Sequence, residues 1–193
     1  MNRQESIYLN IHQDIIDRCK SGEPKAQFQL YKLYYKAMFN TCLRIVNDRL
    51  EAEDIMQESF LKAFEKIITY KGEVSFGAWL KRIVVNHSLD ELRKKKLDLQ
   101  SIEESGINPA TENNNSKEDE EEIQVRAEEI RDQINYLPDG YRIVLSLYLI
   151  EGYDHDEIGE ILKISSSTSR SQCARAKQKL IELLRNKKRE KIY

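Results

Sequence analysis

The sequence predicts an all-α fold: two helical domains joined by an acidic flexible linker, the second containing a helix-turn-helix. Three observations lead there. Only seven glycines and three prolines interrupt the 193 residues, and apolar residues recur at helical spacing with no useful β-type alternation. That periodicity lapses once, over residues 97–122, where "NPATENNNSKEDEEE" (108–122) has no aromatic residue and dense negative charge. Such a composition cannot bury enough apolar surface to order itself. Finally, a third of the residues are charged although the net is only −2, because the signs are sorted along the chain. Lys81 to Lys96 carries six bases against two acids, Glu103 to Glu129 ten acids against two bases, and Lys163 to Lys191 ten bases against two acids. Two basic blocks flanking an acidic one suggest two polyanion-binding modules and a spacer that repels polyanions.

In chain order, Pro24 suits the first turn of a helix marked by Phe28, Leu30, Leu33, Tyr34, Met38 and Leu43. Asp48 caps the next helix, with Glu51 reaching back to complete a capping box, and the helix continues through Ile55, Phe60, Leu61 and Phe64. The stretch "TYKGEVS" (69–75) breaks the pattern. Ser75 caps a further helix carrying Phe76, Trp79, Leu80, Ile83, Val84 and Leu89 to the basic "RKKK" at 93–96, where positive charge suits a helix C-terminus. Lys81, Arg82, Asn86, Arg93 and Lys94 lie on or near its polar face and are placed to hold backbone phosphates. The spacing of Trp79 with Ile83 is that of a core residue. The boundaries expected are 1–97 for the first domain, 98–122 for the linker and 123–193 for the second.

In the second domain, "DHDEIGEIL" (154–162) opens with a capping box between Asp154 and Glu157 and buries Ile158, Ile161 and Leu162. Gly159 sits within that stripe at a helical cost of about 1 kcal/mol, which a close helix–helix crossing would explain. Lys163 to Ser165 form a tight turn anchored by Ile164, and Ser165 caps the next helix. Ser166, Ser167 and Thr168, in its first turn, offer N–H groups and hydroxyls to a phosphate. Ser169, Cys173, Ala176 and Leu180 then recur at helical spacing as a narrow inward face. Arg170, Ser171, Ala174, Arg175 and Gln178 occupy the opposite face, with Lys177 and Lys179 flanking. Arginine makes two hydrogen bonds to a guanine edge, and the small Ser171 and Ala174 let the helix approach the bases closely. This is the pattern of a recognition helix in a helix-turn-helix; a basic helix in an ordinary bundle is the plainer alternative.

Several function classes are disfavoured. The chain has three scattered cysteines, Cys19, Cys42 and Cys173, on helical apolar patterns, expected reduced and buried. His12, His87 and His155 are isolated, so no metal site or cofactor is expected. Neither a nucleophile–base set nor a phosphate loop is present, so the chain is not expected to be an enzyme. "MNRQESIYLN" lacks the apolar core of a signal peptide, and no apolar run approaches membrane-spanning length. A cytoplasmic protein with no membrane insertion is expected.

The stretch "LPDGYRIVLSLYLIEGYDHDEIGEILKISSSTSRSQCARAKQKL" (137–180) closely resembles the C-terminal DNA-binding domain of bacterial extracytoplasmic-function (ECF) sigma factors. "AEDIMQESFLKAF" (52–64) and "FGAWLKRIVVNHSLDELRKKK" (76–96) resemble their first conserved domain. Together these motifs extend over nearly everything but the linker. The chain departs from the family at two positions of the turn, having Lys163 and Ser167 where glycine is usual. A lysine at positive φ would cost about 1 kcal/mol or more.

The resemblance implies a protein that binds core RNA polymerase and promoter DNA, with an anti-sigma factor as a common further partner. It implies that the second domain reads a −35 element as duplex while the first opens and holds a −10 element. On residues 48–64 the outer face carries Glu51, Asp54, Gln57 and Glu58; from the residues alone this is solvated surface, whereas the family uses the last three to contact the polymerase clamp. The loop "TYKGEVS" is by itself only a turn. By resemblance it receives a flipped −10 base, with Tyr70, Lys71 and Gly72 forming the pocket, Tyr70 as the stacking plate, and Trp79 near the upstream edge of the melted region. Family linkers thread the polymerase cleft, where negative charge is tolerated. Two rivals remain at this point: a stand-alone helix-turn-helix regulator, which leaves residues 48–96 without a role, and a helical interaction protein that makes no use of Arg170 or Arg175.

Overall fold

The computed structural model describes residues 11–99 and 129–190. They are helical, with no strand among the described residues, and fall into two compact units, Met1–Glu103 and Glu104–Tyr193.

The first unit contains α1 (Gln13–Lys20), α2 (Pro24–Val46), α3 (Arg49–Lys66), a 3-10 turn (Ile67–Thr69) and α4 (Phe76–Leu99). Helices α2, α3 and α4 pack on one another, and α1 lies against α2 and the 3-10 turn. Pro24 starts α2 as expected. Asn47 ends it in the left-handed region at φ 58°, which its short polar side chain tolerates, and Asp48 at once caps α3 by accepting from the Glu51 N–H at 2.9 Å. The chain therefore reverses in two residues. Ile16, Leu30, Ile45, Phe76, Leu80, Val84 and Val85 are fully buried between the helices, each worth about 1.5–3 kcal/mol of transfer free energy.

Not every residue of the apolar helical pattern is buried. Phe28 is 58% exposed and Leu61 64% exposed, and Leu33 is also exposed, because these positions sit on the outer sides of α2 and α3 although their spacing is helical. Nor does Glu51 reach back to Asp48. Its carboxylate accepts from Lys95 on α4 at 2.8 Å.

The second unit contains α5 (described over 129–135), α6 (Asp139–Leu149), α7 (His155–Leu162) and α8 (Ser166–Glu190), with α8 packed on α6 and α7. Ile134, Val144, Leu145, Leu147 and Ile158 are fully buried, whereas Ile161 and Leu162 are only half-buried. Arg142 is buried and its guanidinium meets Asp139 at 2.6 Å. The capping box of Asp154 and Glu157 is complete: the Asp156 and Glu157 N–H groups donate to Asp154, and the Asp154 N–H donates to the Glu157 carboxylate.

All three cysteines are buried and none is in a disulfide, and burial pushes the Cys19 thiol up to about 11. No helix among the described residues is long and apolar enough to cross a membrane. Of the expected linker, only residues 98 and 99 are described, and they continue α4 past the expected boundary at 97. The remainder of that expectation lies outside the described residues.

Candidate nucleic-acid interface

The turn between α7 and α8 decides how α8 is held. Lys163 ends α7 at φ 59°, ψ 43°, the left-handed conformation expected of a position where glycine is usual. Gly159 is explained differently from the expectation. A side chain there would place its Cβ 2.9 Å from the Ile164 carbonyl oxygen and 3.4 Å from the Ser166 nitrogen, so the close approach is to the backbone of the turn rather than to a crossing helix. The Ile164 N–H donates to the Gly159 carbonyl at 3.0 Å. The residue without a side chain thus lets the turn fold flat onto α7.

Ser165 caps α8 by accepting from the Thr168 N–H at 3.0 Å, and its Oγ lies 2.9 Å from Ser167 Oγ and 2.7 Å from Thr168 Oγ1. Ser167 and Thr168 are exposed. Ser166 departs from the expectation of a phosphate-facing hydroxyl: its Oγ is buried without a hydrogen-bond partner, so only the neighbouring two hydroxyls face outward.

Along α8 the two faces separate as expected. Ser169, Cys173, Ala176 and Leu180 are buried, while Arg170, Ser171, Ala174, Arg175 and Gln178 are exposed. Lys179 is exposed and meets Glu182 at 3.1 Å. One feature has no sequence signal, because its residues come from three helices. His155 stacks on Tyr148 with ring centroids 4.5 Å apart, Lys177 Nζ lies 4.9 Å from the Tyr148 centroid, and His155 Nδ1 lies 2.9 Å from Ser169 Oγ. This ties the start of α7 to the buried side of α8.

In the first unit, the loop before α4 is built on Tyr70, which is 3% exposed. Its ring packs on Phe76 and Trp79, its hydroxyl donates to the Val74 carbonyl at 2.6 Å, and its own carbonyl accepts from Lys20 at 2.8 Å. This corrects the expectation of an open stacking plate: Tyr70 is the buried floor of the loop, since a phenol with an internal acceptor for its hydroxyl can be enclosed at little cost. Gly72 has φ +78°, Lys71 is exposed and Trp79 is half-buried, so Trp79 joins the core on one side and solvent on the other. Ser75 caps α4 as expected, accepting from the Ala78 N–H at 3.2 Å.

Trp79, Arg82, Asn86 and Arg93 recur at helical spacing on one side of α4. Arg82 and Asn86 are exposed and Lys81 half-buried. Arg93 meets Asp90 at 2.9 Å and Lys94 meets Glu91 at 2.6 Å; that hydrogen bond holds the Glu91 carboxyl below the usual carboxylate range.

On α3, Asp54, Gln57 and Glu58 are exposed along one stripe, but Glu51 is turned toward α4 and only 22% exposed. The stripe is bounded instead by Leu50 and Leu61, both strongly exposed; Leu61 stands three positions from Glu58 and seven from Asp54, on the same outer face of the helix. Behind the stripe His87 is 6% exposed, between Ser59 (3.0 Å), Lys62 (2.6 Å) and Glu58 (3.3 Å).

The comparisons with known proteins agree with this arrangement. The profile of Sigma-70 region 2 matches residues 30–97, and that of Sigma-70 region 4 matches residues 127–180. The chain is 33% identical to "ECF RNA polymerase sigma factor SigW" of Bacillus subtilis (strain 168), covering 89% of this chain and 95% of that protein. It is 29% identical to "ECF RNA polymerase sigma-E factor" of Haemophilus influenzae, covering 91% and 94%. The fold is similar to that of the sigma factor RpoE in its complex with the anti-sigma factor NepR from Bartonella quintana, with TM-score 0.56, 23% identity and coverage of 81% and 95%. It is also similar to CnrH in complex with the cytosolic domain of CnrY, with TM-score 0.54, 21% identity and coverage of 90% and 97%. With both sigma regions matched in order and a relative at this identity over almost the whole length, the chain belongs to the ECF family of RNA polymerase sigma factors, which direct promoter-specific transcription initiation.

Proposed function

We propose that the second domain reads a −35 element as duplex through α8, that the first opens and holds a −10 element, and that the outer stripe of α3 docks on core RNA polymerase. The observation that carries the reading is the two-faced construction of α8. Its packing is done by Ser169, Cys173, Ala176 and Leu180, which leaves Arg170 and Arg175 exposed with small residues between them, the geometry that bidentate base contact in a major groove requires. Ser167 and Thr168 sit at the N-terminus of the same helix to meet a phosphate.

In the first domain, Lys71, Gly72 and the exposed side of Trp79 form the rim of the proposed −10 base site, with Tyr70 beneath as its support. Arg82 and Asn86 hold the strand backbone, joined by Lys81, Arg93 and Lys94; the last two can trade an exposed acid for a phosphate at little cost, since exposed ion pairs are weak. Asp54, Gln57 and Glu58 make the polymerase contact, with Leu50 and Leu61 adding apolar area at either end. Polymerase supplies the nucleotide chemistry, and the chain acts in the cytoplasm. One related fold was captured in complex with an anti-sigma factor, which supports an anti-sigma factor as a further partner.

The reading is tested by run-off transcription and promoter binding with core RNA polymerase added. The complex is expected to open and transcribe a promoter that the chain alone binds weakly and in a strongly salt-dependent manner. Charge reversal at Asp54 should weaken assembly. A chain that binds its duplex tightly alone, and gains nothing from polymerase, would be an ordinary helix-turn-helix regulator.

A further inference from the structure

Between α3 and α4 lies a buried imidazole that the proposed DNA contacts do not use. The Ser59 hydroxyl donates to the Ile55 carbonyl at 2.6 Å, so its proton is committed, and the His87 Nδ1 at 3.0 Å must be the donor between them. Nε2 then carries the lone pair and accepts from the Lys62 ammonium at 2.6 Å. Two carboxylates stand beside the same nitrogen, Glu58 at 3.3 Å and Glu91 at 3.6 Å. Glu91 is already engaged by Lys94 at 2.6 Å. Among the described residues, the charged groups bearing on the ring thus come from α3 (Glu58, Lys62) and from α4 itself (Glu91, with Lys94 beyond it).

A proton taken from solvent onto Nε2 reverses this arrangement. The N–H so formed cannot face an ammonium, so Lys62 must leave, and the nitrogen now donates to a carboxylate. Glu58, nearer than Glu91 and not engaged by Lys94, becomes the acceptor of that N–H. Glu58 belongs to the exposed stripe proposed to dock on polymerase, and Lys62 lies one turn along the same helix.

We propose that His87 is a positioning residue for the docking face of α3: neutral, it holds Lys62 and leaves the nearby Glu58 carboxylate unbound by the ring; protonated, it binds Glu58, releases Lys62 and weakens association with core RNA polymerase. This rests on the reading of α3 as the polymerase-docking face. Burial and the neighbouring Lys62 hold the imidazole below its ordinary range, so the arrangement with Lys62 on the ring is the one present at neutral pH and the exchange occurs on acidification.

The test measures binding of the full chain to purified core RNA polymerase at about pH 7.5 and about pH 5.5, on either side of the histidine range, for the native chain and for His87→Gln. Comparing the two proteins cancels any titration of the polymerase. The native chain is expected to lose about three- to tenfold more affinity between the two pH values than His87→Gln does, the size of one or two exposed charge contacts. Equal losses in both, with binding intact at the higher pH, overturn the role of His87 alone. No binding by the native chain at either pH overturns the docking reading and this inference with it. If His87→Gln fails to fold, NMR titration of the native chain decides: the His87 ring and the Glu58 carboxylate should shift together with one midpoint below the ordinary histidine value, and independent titration overturns the proposal.

Discussion

The two surfaces of this sigma factor proposed to meet nucleic acid are built in opposite ways. On α8 the arginines that face outward, Arg170 and Arg175, are exposed, and all packing is confined to a strip of small and apolar residues on the other side. On the loop and α4 of the first unit, the corresponding surface is rooted in the core: Tyr70 is buried, Trp79 is shared between core and solvent, and Arg93 and Lys94 are paired with acids on their own helix. A surface that reads duplex needs donors free to meet base edges, whereas one that holds an unpaired base needs a rigid cavity. The first kind can be changed without unfolding the domain. The second cannot.

The largest effect that would break this contrast is expected at Tyr70. Tyr70→Ala removes a buried ring and should cost about 3–5 kcal/mol, as large core truncations do, read as an early thermal transition of the first unit together with loss of promoter opening. Tyr70→Phe keeps the ring and forfeits only the bond to the Val74 carbonyl, so it should cost about 1 kcal/mol and retain opening. If Tyr70→Ala abolishes opening while the thermal transition is unmoved, the ring is a plate after all and the contrast fails.

Next comes Gly159→Val, whose Cβ would meet the Ile164 carbonyl oxygen at 2.9 Å. It should destabilise the second unit by about 2–3 kcal/mol in denaturant unfolding, the usual range for overpacking. Arg175→Ala should leave that unfolding curve in place, yet cost about 1–3 kcal/mol in promoter binding by the polymerase complex and relax preference at one base position. A loss that is the same for every promoter variant would make Arg175 a phosphate contact. The smallest effect is a gain: Lys163→Gly relieves a side chain held at φ 59° and should raise the stability of the second unit by about 1 kcal/mol.

Much of this was legible in the sequence where one helix supplies all the information. The inward strip Ser169, Cys173, Ala176, Leu180 and its outward counterpart followed from spacing, as did the caps at Asp48, Ser75, Asp154 and Ser165, because each depends on residues within one turn. Distinctions made by a second element were not legible. Leu50 and Leu61 are apolar in the sequence, yet the neighbouring helices pack on the Ile55 side of α3 and leave both exposed. Glu51 fits a capping box, but Lys95, 44 residues on, captures it instead. Tyr70 and His87 read as a loop aromatic and an isolated histidine because their partners are distant in sequence: Lys20 for the Tyr70 carbonyl, Ser59 and Lys62 for the imidazole.

The separation of duties around α8 bears on how promoter preference can be redesigned. Its five outward residues lend almost nothing to the hydrophobic interior, so on the proposed −35 reading they would form an address that can be rewritten one letter at a time. Exchanging Arg170, Ser171, Ala174, Arg175 or Gln178 should yield orthogonal regulators that melt at nearly the same temperature as the parent. The mount for that address is the fixed part: the flat turn over Gly159 and the hydroxyl cluster at Ser165 set the tilt at which every new set of letters would meet the groove.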